Sequence, residues 1–202
     1  MKPVSVQSIP QFHRRSIRLP DFDYSQSGAY FVTICTQKRE CFLGESAEGK
    51  VDLSPYGDIA AKYWRQITER YLTVELGEFV VMPNHVHGID SIQSDSSGTD
   101  GVGAIHELPL QQQPRQKARR RMLLPKIIGW FKMNSAKQIN ELRGTPGKTV
   151  WQRNYYEHVI RNEESLNRIR EYIAYNSTRW VFDGENPAGR PDHQELNFWK
   201  GF

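Results

Sequence analysis

Two histidines, one residue apart, follow a strand-forming run in the middle of the sequence. Residues 78–82 read Glu-Phe-Val-Val-Met, which is typical of a β-strand, and the Pro-Asn step after them indicates a bend or bulge. Successive side chains of a strand point to opposite faces, so His85 and His87 share one face while Val86 points toward the core. Such a pair is either a polar face of a strand or two ligands of a metal ion. A catalytic metal generally needs about three protein ligands, so a third is expected elsewhere.

The composition indicates one globular domain. The chain has 202 residues, of which 38% are hydrophobic and 25% charged. It lacks any run of about 18 apolar residues, and its first residues lack an apolar signal region, so we expect a cytoplasmic protein that does not contact a membrane. Cys35 and Cys41 are expected to be reduced thiols in that compartment.

Positive charge is concentrated in two stretches of the chain. The net charge is only +4, but residues 114–132 carry seven Arg and Lys residues and no acidic residue, and a second basic cluster covers residues 13–18. Such clusters are either solvated loops or contacts for nucleic-acid phosphates. The candidate nucleic-acid contacts are Arg14, Arg15, Arg18, Arg119, Arg120 and Arg121.

The order of the predicted elements indicates an α+β fold. A buried strand at 29–36 and a short returning strand near 41–43 precede a helix that opens at a Ser-Pro step. The strand that leads to the histidines follows, then a polar stretch at 91–120, a helix at 123–142, an aromatic strand at 149–160 and a last helix. This order predicts a ferredoxin-like sandwich with helices packed on a central antiparallel sheet. We expect a basic arm at 1–28, a domain at 29–180 with a flexible insertion at 91–120, and a tail at 181–202.

The last helix presents a phenol and an amide on one flank. Asn162 is the expected N-cap, and two glutamates follow it in the first turn. Leu166, Ile169 and Ile173 form the apolar stripe of this helix. Tyr172 and Asn176 lie on the same side of that stripe and four residues apart, so their side chains can reach a single site. The alternative is that Tyr172 only packs on the flank of the helix.

Several segments together resemble the REP-associated tyrosine transposases, which are single-tyrosine members of the HUH (His-hydrophobic-His) endonucleases. In chain order these segments are Arg-Arg-Ser-Ile-Arg-Leu-Pro, Gly-Ala-Tyr-Phe-Val-Thr-Ile-Cys-Thr-Gln, Met-Pro-Asn-His-Val-His, Trp-Gln-Arg-Asn-Tyr-Tyr-Glu-His and Tyr-Ile-Ala-Tyr-Asn. The resemblance extends from about residue 14 to about residue 180, with an interruption at 91–120.

The resemblance implies a role for each residue of the candidate site. His85 and His87 match the paired metal ligands, and Tyr172 matches the nucleophilic tyrosine. Asn176 stands where related transposases have a glutamine or similar third ligand. Its shorter side chain leaves three interpretations: it binds the metal through its amide oxygen, binds through a water molecule, or holds the helix. Oxygen ligands and a phosphate substrate favour Mg²⁺ or Mn²⁺.

The resemblance also implies a DNA substrate and a reaction. Relatives recognise short palindromic repeats that fold into hairpins beside a guide sequence, so the N-terminal arginines would contact the guide and Arg119 to Arg121 the stem. Cleavage would leave a 5′-phosphotyrosine and a free 3′-OH, with the tyrosine supplied by the same chain or by a partner in a homodimer. A catalytically silent protein that binds hairpin DNA or RNA is the alternative. A two-histidine phosphoesterase would need a second His motif paired with Ser or Thr, which the sequence lacks.

Overall fold

A four-stranded antiparallel sheet carries the two histidines. The computed structural model describes residues 27–93 and 123–200. Its strands are β1 (Gly28–Cys35), β2 (Gly44–Ala47), β3 (Lys50–Leu53), β4 (Val74–Met82), β5 (His85–Ile92) and β6 (Tyr156–Ile160). Its helices are α1 (Pro55–Arg65), α2 (Ile67–Arg70), α3 (Leu123–Leu142), α4 (Glu163–Tyr175) and α5 (His193–Lys200), with short 3-10 helices at Gln37–Arg39 and Trp180–Phe182.

The sheet has the strand order β4-β5-β1-β6, and each neighbouring pair is antiparallel. Among the described elements, with the separate β2–β3 hairpin set aside, the order through β6 is strand, helix, strand, strand, helix, strand, which is the ferredoxin-like order. The predicted α+β fold with helices on an antiparallel sheet is therefore confirmed. Within the described residues, no helix combines the length and hydrophobicity that a membrane-spanning segment needs.

The sheet separates two apolar clusters. Tyr30, Val32 and Val86 face the larger cluster, where α1 and α3 cover the sheet. Phe31 and Ile89 face the smaller cluster, which α4 and α5 cover. Side chains alternate along β5, so the two histidines lie on the side of Ile89, beneath the C-terminal helices. Val86, the residue between the histidines, faces the larger cluster, as expected from the sequence.

Local sequence signals account for where helices α1 and α4 begin. Ser54 caps α1, with its hydroxyl accepting hydrogen bonds from the amides of Tyr56 and Gly57 at 3.2 Å each, and proline occupies the first helical position. Asn162 caps α4 in the same way through the amide of Ser165 at 2.8 Å. Both helix starts were predicted from the sequence.

The structure differs from the sequence interpretation in three respects. The Pro-Asn step, interpreted as a bend or bulge, is the two-residue turn of a hairpin between β4 and β5. The short strand expected near 41–43 does not form. Instead the Leu43 amide donates to the carbonyl of Pro83 at 2.9 Å, so this stretch runs across the end of the hairpin before β2 begins. The aromatic strand predicted for 149–160 is shorter, because only Tyr156–Ile160 pairs with β1 while Trp151 bridges to Thr36.

A glycine between the histidines and the rest of β5 allows α1 to approach the sheet closely. A Cβ atom on Gly88 would lie only 2.2 Å from the Cζ2 atom of Trp64, which is fully buried. Any side chain at this position would displace the indole ring, so the close packing of α1 on β5 requires glycine here.

Candidate active site

His85 and His87 lie side by side at the start of β5 and are completely buried. Their ring centroids are 4.3 Å apart. In the sheet, His87 is opposite Thr33 of β1 and Val80 of β4, so strands on both sides fix its position. The strand geometry therefore places two imidazoles together with little conformational freedom.

Each imidazole is oriented by a hydrogen bond at Nδ1. The Asn84 amide nitrogen donates to the carbonyls of Glu185 and Arg39 at 2.8 and 3.2 Å, so its oxygen accepts from His85 Nδ1 at 2.8 Å. Thr33 Oγ1 is 3.0 Å from His87 Nδ1. Partners of this kind fix the tautomer and ring orientation of metal-binding histidines. They leave Nε2 of each ring as the nitrogen that could bind a metal ion.

A carboxylate from the C-terminal segment joins the two histidines. Asp183, which follows the second 3-10 helix, is 1% exposed, and its Oδ2 lies 3.7 Å from His85 Nε2. One ligand atom from each of His85, His87 and Asp183 lies within 4.8 Å of the others. Two imidazole nitrogens and one carboxylate oxygen are a suitable donor set for a divalent cation. This buried group could hold a metal ion.

Asn176 lies at the edge of the same group. Its side chain is 2% exposed, and its Nδ2 donates to Asp183 Oδ2 at 2.9 Å. Its Oδ1 is buried and accepts no hydrogen bond from the described residues. The structure thus brings Asn176 next to the group formed by His85, His87 and Asp183, and this group includes a carboxylate that the sequence interpretation did not include.

Asp183 was not predicted as a site residue, because residues 181–202 show no clear periodic pattern and were expected to form a tail. In the structure it returns to the site. Asp183 Oδ1 accepts from the Glu185 amide at 2.6 Å, and the Glu185 carboxylate forms an ion pair with Arg39 at 2.7 Å. Cys35 Sγ also donates to that carboxylate at 3.4 Å. These contacts join the segment at 183–185 to β1 and to the 3-10 helix after it.

Tyr172 lies next to the histidine pair. Its ring centroid is 5.4 Å from that of His87, and its ring stacks on Phe198 of α5 at 3.8 Å with an interplanar angle of 9°. Its hydroxyl donates to Glu195 Oε1 at 3.2 Å. Tyr172 and Asn176 both line a cleft of about 580 Å³ between α4 and α5. The phenol is therefore accessible from this cleft and close to the two buried histidines.

Glu195 is an unusual neighbour for a phenol because it is a buried carboxyl group, 3% exposed. Burial raises its pKa, and the negative charge of Asp183 raises it further. Hydrogen bonds from Trp199, Gly184 and Tyr172 oppose this effect because they stabilise the ionised form. The balance leaves the pKa of Glu195 above its ordinary value.

Two further sets of residues bear on the site, a second tyrosine on α4 and the six candidate arginines. Tyr175 is 57% exposed and lines the same cleft, three residues from Tyr172. The six candidate DNA contacts, Arg14, Arg15, Arg18, Arg119, Arg120 and Arg121, lie outside the described residues, as does most of the stretch 91–120.

Sequence comparison places the chain among bacterial relatives. No family model matches the sequence. A Haemophilus influenzae protein described as uncharacterized is 36% identical over 181 residues, covering 85% of this chain and 92% of that protein. A putative REP-associated tyrosine transposase from the same organism is 26% identical over 157 residues, covering 78% and 74% of the two chains.

Two solved structures are similar to this chain at a low level. One is a REP-associated tyrosine transposase bound to a REP hairpin, with 18% identity, a TM-score of 0.43, and coverage of 85% of this chain and 74% of the other. The second is a putative transposase from Deinococcus radiodurans, with 17% identity, a TM-score of 0.41, and coverage of 73% and 89%. The sequence comparison confirms the resemblance to the REP-associated tyrosine transposases, and the chain belongs to one family with the 36% identical Haemophilus protein.

Proposed function

We propose that this protein cleaves and rejoins single-stranded DNA beside a hairpin, through a covalent bond between Tyr172 and a 5′ phosphate. The observation that carries the proposal is the position of Tyr172, whose ring contacts His87 of the buried metal-binding group and whose side chain lines an open cleft. A nucleophile, a candidate metal site and an entrance for substrate thus occur together. Similarity to the putative REP-associated tyrosine transposase of Haemophilus influenzae supports the same reaction class.

Within this proposal, His85, His87 and Asp183 hold a divalent cation, with Asn176 as a further oxygen donor. Mg²⁺ and Mn²⁺ are the proposed ions because carboxylate and amide oxygens suit them, and imidazole nitrogens favour Mn²⁺ of the two. When bound, such an ion polarises the scissile phosphate and stabilises charge on its oxygens. The buried Oδ1 of Asn176 fits a role as acceptor or ligand, since an unused buried oxygen costs free energy.

The proposed reaction exchanges one phosphodiester for another. A bond forms between Tyr172 Oη and phosphorus, the bond from phosphorus to the 3′ oxygen breaks, the phenol loses a proton and the 3′ oxygen gains one. The number of phosphodiester bonds is unchanged, so rejoining to a different 3′ end needs no ATP. A phenol normally has a pKa near 10, so the reaction requires a site that favours the developing phenolate.

The proposed substrate is a single strand that contains a hairpin, as in the REP hairpin bound by the solved transposase. The arginines at 14–18 and 119–121 remain the proposed contacts for the guide and the stem, because arginine pairs well with phosphates. We further propose that one chain supplies the whole site, since Tyr172 lies beside its own His87 rather than pointing away from it. The competing function is a protein that binds hairpin DNA or RNA without cleaving it.

Incubation with Mn²⁺ and an end-labelled single-stranded hairpin tests the proposal. The wild-type protein should form an adduct that survives denaturation, and Tyr172→Phe and His85→Ala should form none. Tyr175→Phe is the matched control, because it removes the hydroxyl of an exposed tyrosine on the same helix and should leave the adduct intact. Hairpin binding without any adduct would favour the silent binding protein. An adduct that persists in Tyr172→Phe would move the nucleophile to another residue.

A further inference from the structure

The C-terminal helix α5 provides a hydrogen-bond acceptor that is fixed in place for the Tyr172 hydroxyl. Glu195 Oε1 accepts from Tyr172 Oη at 3.2 Å, from the Gly184 amide at 3.2 Å and from the Trp199 indole nitrogen at 2.6 Å. The amide and the indole belong to different parts of the C-terminal segment, so together they fix the acceptor oxygen relative to the sheet.

Burying a carboxyl group in this position is costly, and packing alone does not explain it. A buried carboxylate needs several donors to compensate for lost hydration, and here three donors converge on one oxygen. A nonpolar side chain could fill the same space between α4 and α5. It would leave the hydroxyl of Tyr172 and the indole nitrogen of Trp199 without this acceptor.

The ring of Tyr172 is restrained as well as its hydroxyl. Phe198 stacks on it, and Trp199 contacts its ring edge-on at a centroid distance of 5.7 Å. Both residues belong to the same helix as Glu195. Consequently α5 restrains the ring on one side, and Glu195 accepts the hydrogen bond that directs the O–H bond.

We infer that Glu195 is a positioning residue for the nucleophile: by accepting the hydrogen bond of Tyr172, it orients the oxygen lone pairs toward substrate in the cleft. This inference rests on the proposed function. When the O–H bond of Tyr172 points to Glu195, the lone pairs of the phenol oxygen point in other directions. The side chains of Tyr172 and Glu195 both line the cleft through which a phosphate would approach. Catalytic rates are sensitive to such orientation, because a misplacement of about 1 Å can cost about 100-fold.

The pair Glu195→Gln and Glu195→Met tests this role. Glutamine keeps an acceptor oxygen, whereas methionine has nearly the same shape and no acceptor of comparable strength. With Mn²⁺ and the labelled hairpin, the rate of adduct formation should stay within about threefold of wild type for Glu195→Gln and fall about 10- to 100-fold for Glu195→Met. Hairpin affinity should be unchanged in both variants, since the role concerns orientation rather than binding. A purely structural role would lower affinity and thermal stability together with the rate.

Several results would overturn the inference. An equal loss of rate in both variants would mean that the charge of Glu195 matters rather than its acceptor oxygen. An unchanged or faster rate in Glu195→Met would also contradict the inference. If Glu195→Met does not fold, Trp199→Phe provides the second test, because it keeps an aromatic ring and removes one donor that fixes Glu195. That variant should lower the rate at least about threefold at unchanged affinity, and an unchanged rate would contradict the inference. If the wild-type protein forms no adduct, the proposed function fails as well; adduct formation with equal rates in all variants refutes the positioning role alone.

Discussion

Replacing Asp183 by Asn should sharply weaken the binding of a divalent cation. The substitution keeps the size of the side chain and an oxygen donor but removes a negative charge from a group that is 1% exposed. At an effective dielectric constant of about 20, two unit charges about 4 Å apart interact with about 4 kcal/mol, and a divalent ion doubles the charge on one side. Part of this energy is offset by the cost of desolvating the carboxylate. A loss of at least about 100-fold in affinity, or about 2.7 kcal/mol, is therefore expected.

Calorimetric titration of the DNA-free protein with Mn²⁺ measures this loss directly and does not depend on catalysis. The matched control is Asp52→Asn, which removes a carboxylate from the exposed β2–β3 hairpin and should leave the affinity within about twofold of wild type. Asn176→Ala should weaken binding less than Asp183→Asn if the carboxylate is the third ligand. The assignment of Asp183 would be refuted if its substitution left Mn²⁺ affinity unchanged while Asn176→Ala abolished binding.

Three further substitutions test the packing and electrostatics of the sheet that carries the site. Thr33→Val keeps the shape of the side chain but removes the partner of His87 Nδ1, so Mn²⁺ affinity should fall about tenfold in the same titration, and an unchanged affinity would deny Thr33 an orienting role. Gly88→Ala should destabilise the fold by about 1–3 kcal/mol in urea unfolding, because its methyl group would overlap the Trp64 ring, and a smaller effect would show that the ring can move. Burial raises the pKa of Asp90 to about 7, so the folded state holds its proton more tightly than the unfolded state does and stability falls as pH rises from about 4 to 7. Asp90→Asn should therefore be more stable than wild type at pH 8, by up to about 4 kcal/mol, with a difference that shrinks toward pH 4; a constant difference across this range would contradict the shift.

The parts of the site that could be predicted are those in regular secondary structure. Alternation along a strand placed His85 and His87 on one face, and the spacing of four residues along a helix placed Tyr172 and Asn176 on one flank. The capping residues and apolar stripe of α4 identified that helix correctly, and the order of elements predicted the α+β sheet. In each case a period of two or 3.6 residues relates neighbouring side chains directly.

The parts that were missed depend on irregular or long-range structure. Asp183 follows a 3-10 helix, and its position is fixed by Asn176 and by the loop that contains Glu185. Glu195 belongs to a helix of eight residues, which is too short for a clear apolar pattern. Neither residue has a periodic relation to the histidines, so only the folded chain brings them to the site. The Pro-Asn turn was misread for a related reason, since a turn and a bend have similar composition.

The central claim is that Tyr172 forms the covalent bond to DNA, and mass spectrometry of the digested adduct tests it most directly. Wild-type protein would be incubated with Mn²⁺ and a single-stranded hairpin, treated with nuclease and protease, and searched for nucleotide-modified peptides. The account predicts a phosphonucleotide attached to the peptide that contains Tyr172, at that residue and joined through the 5′ phosphate. Attachment to Tyr175 or to any other residue, or a 3′-phosphate linkage, would contradict it.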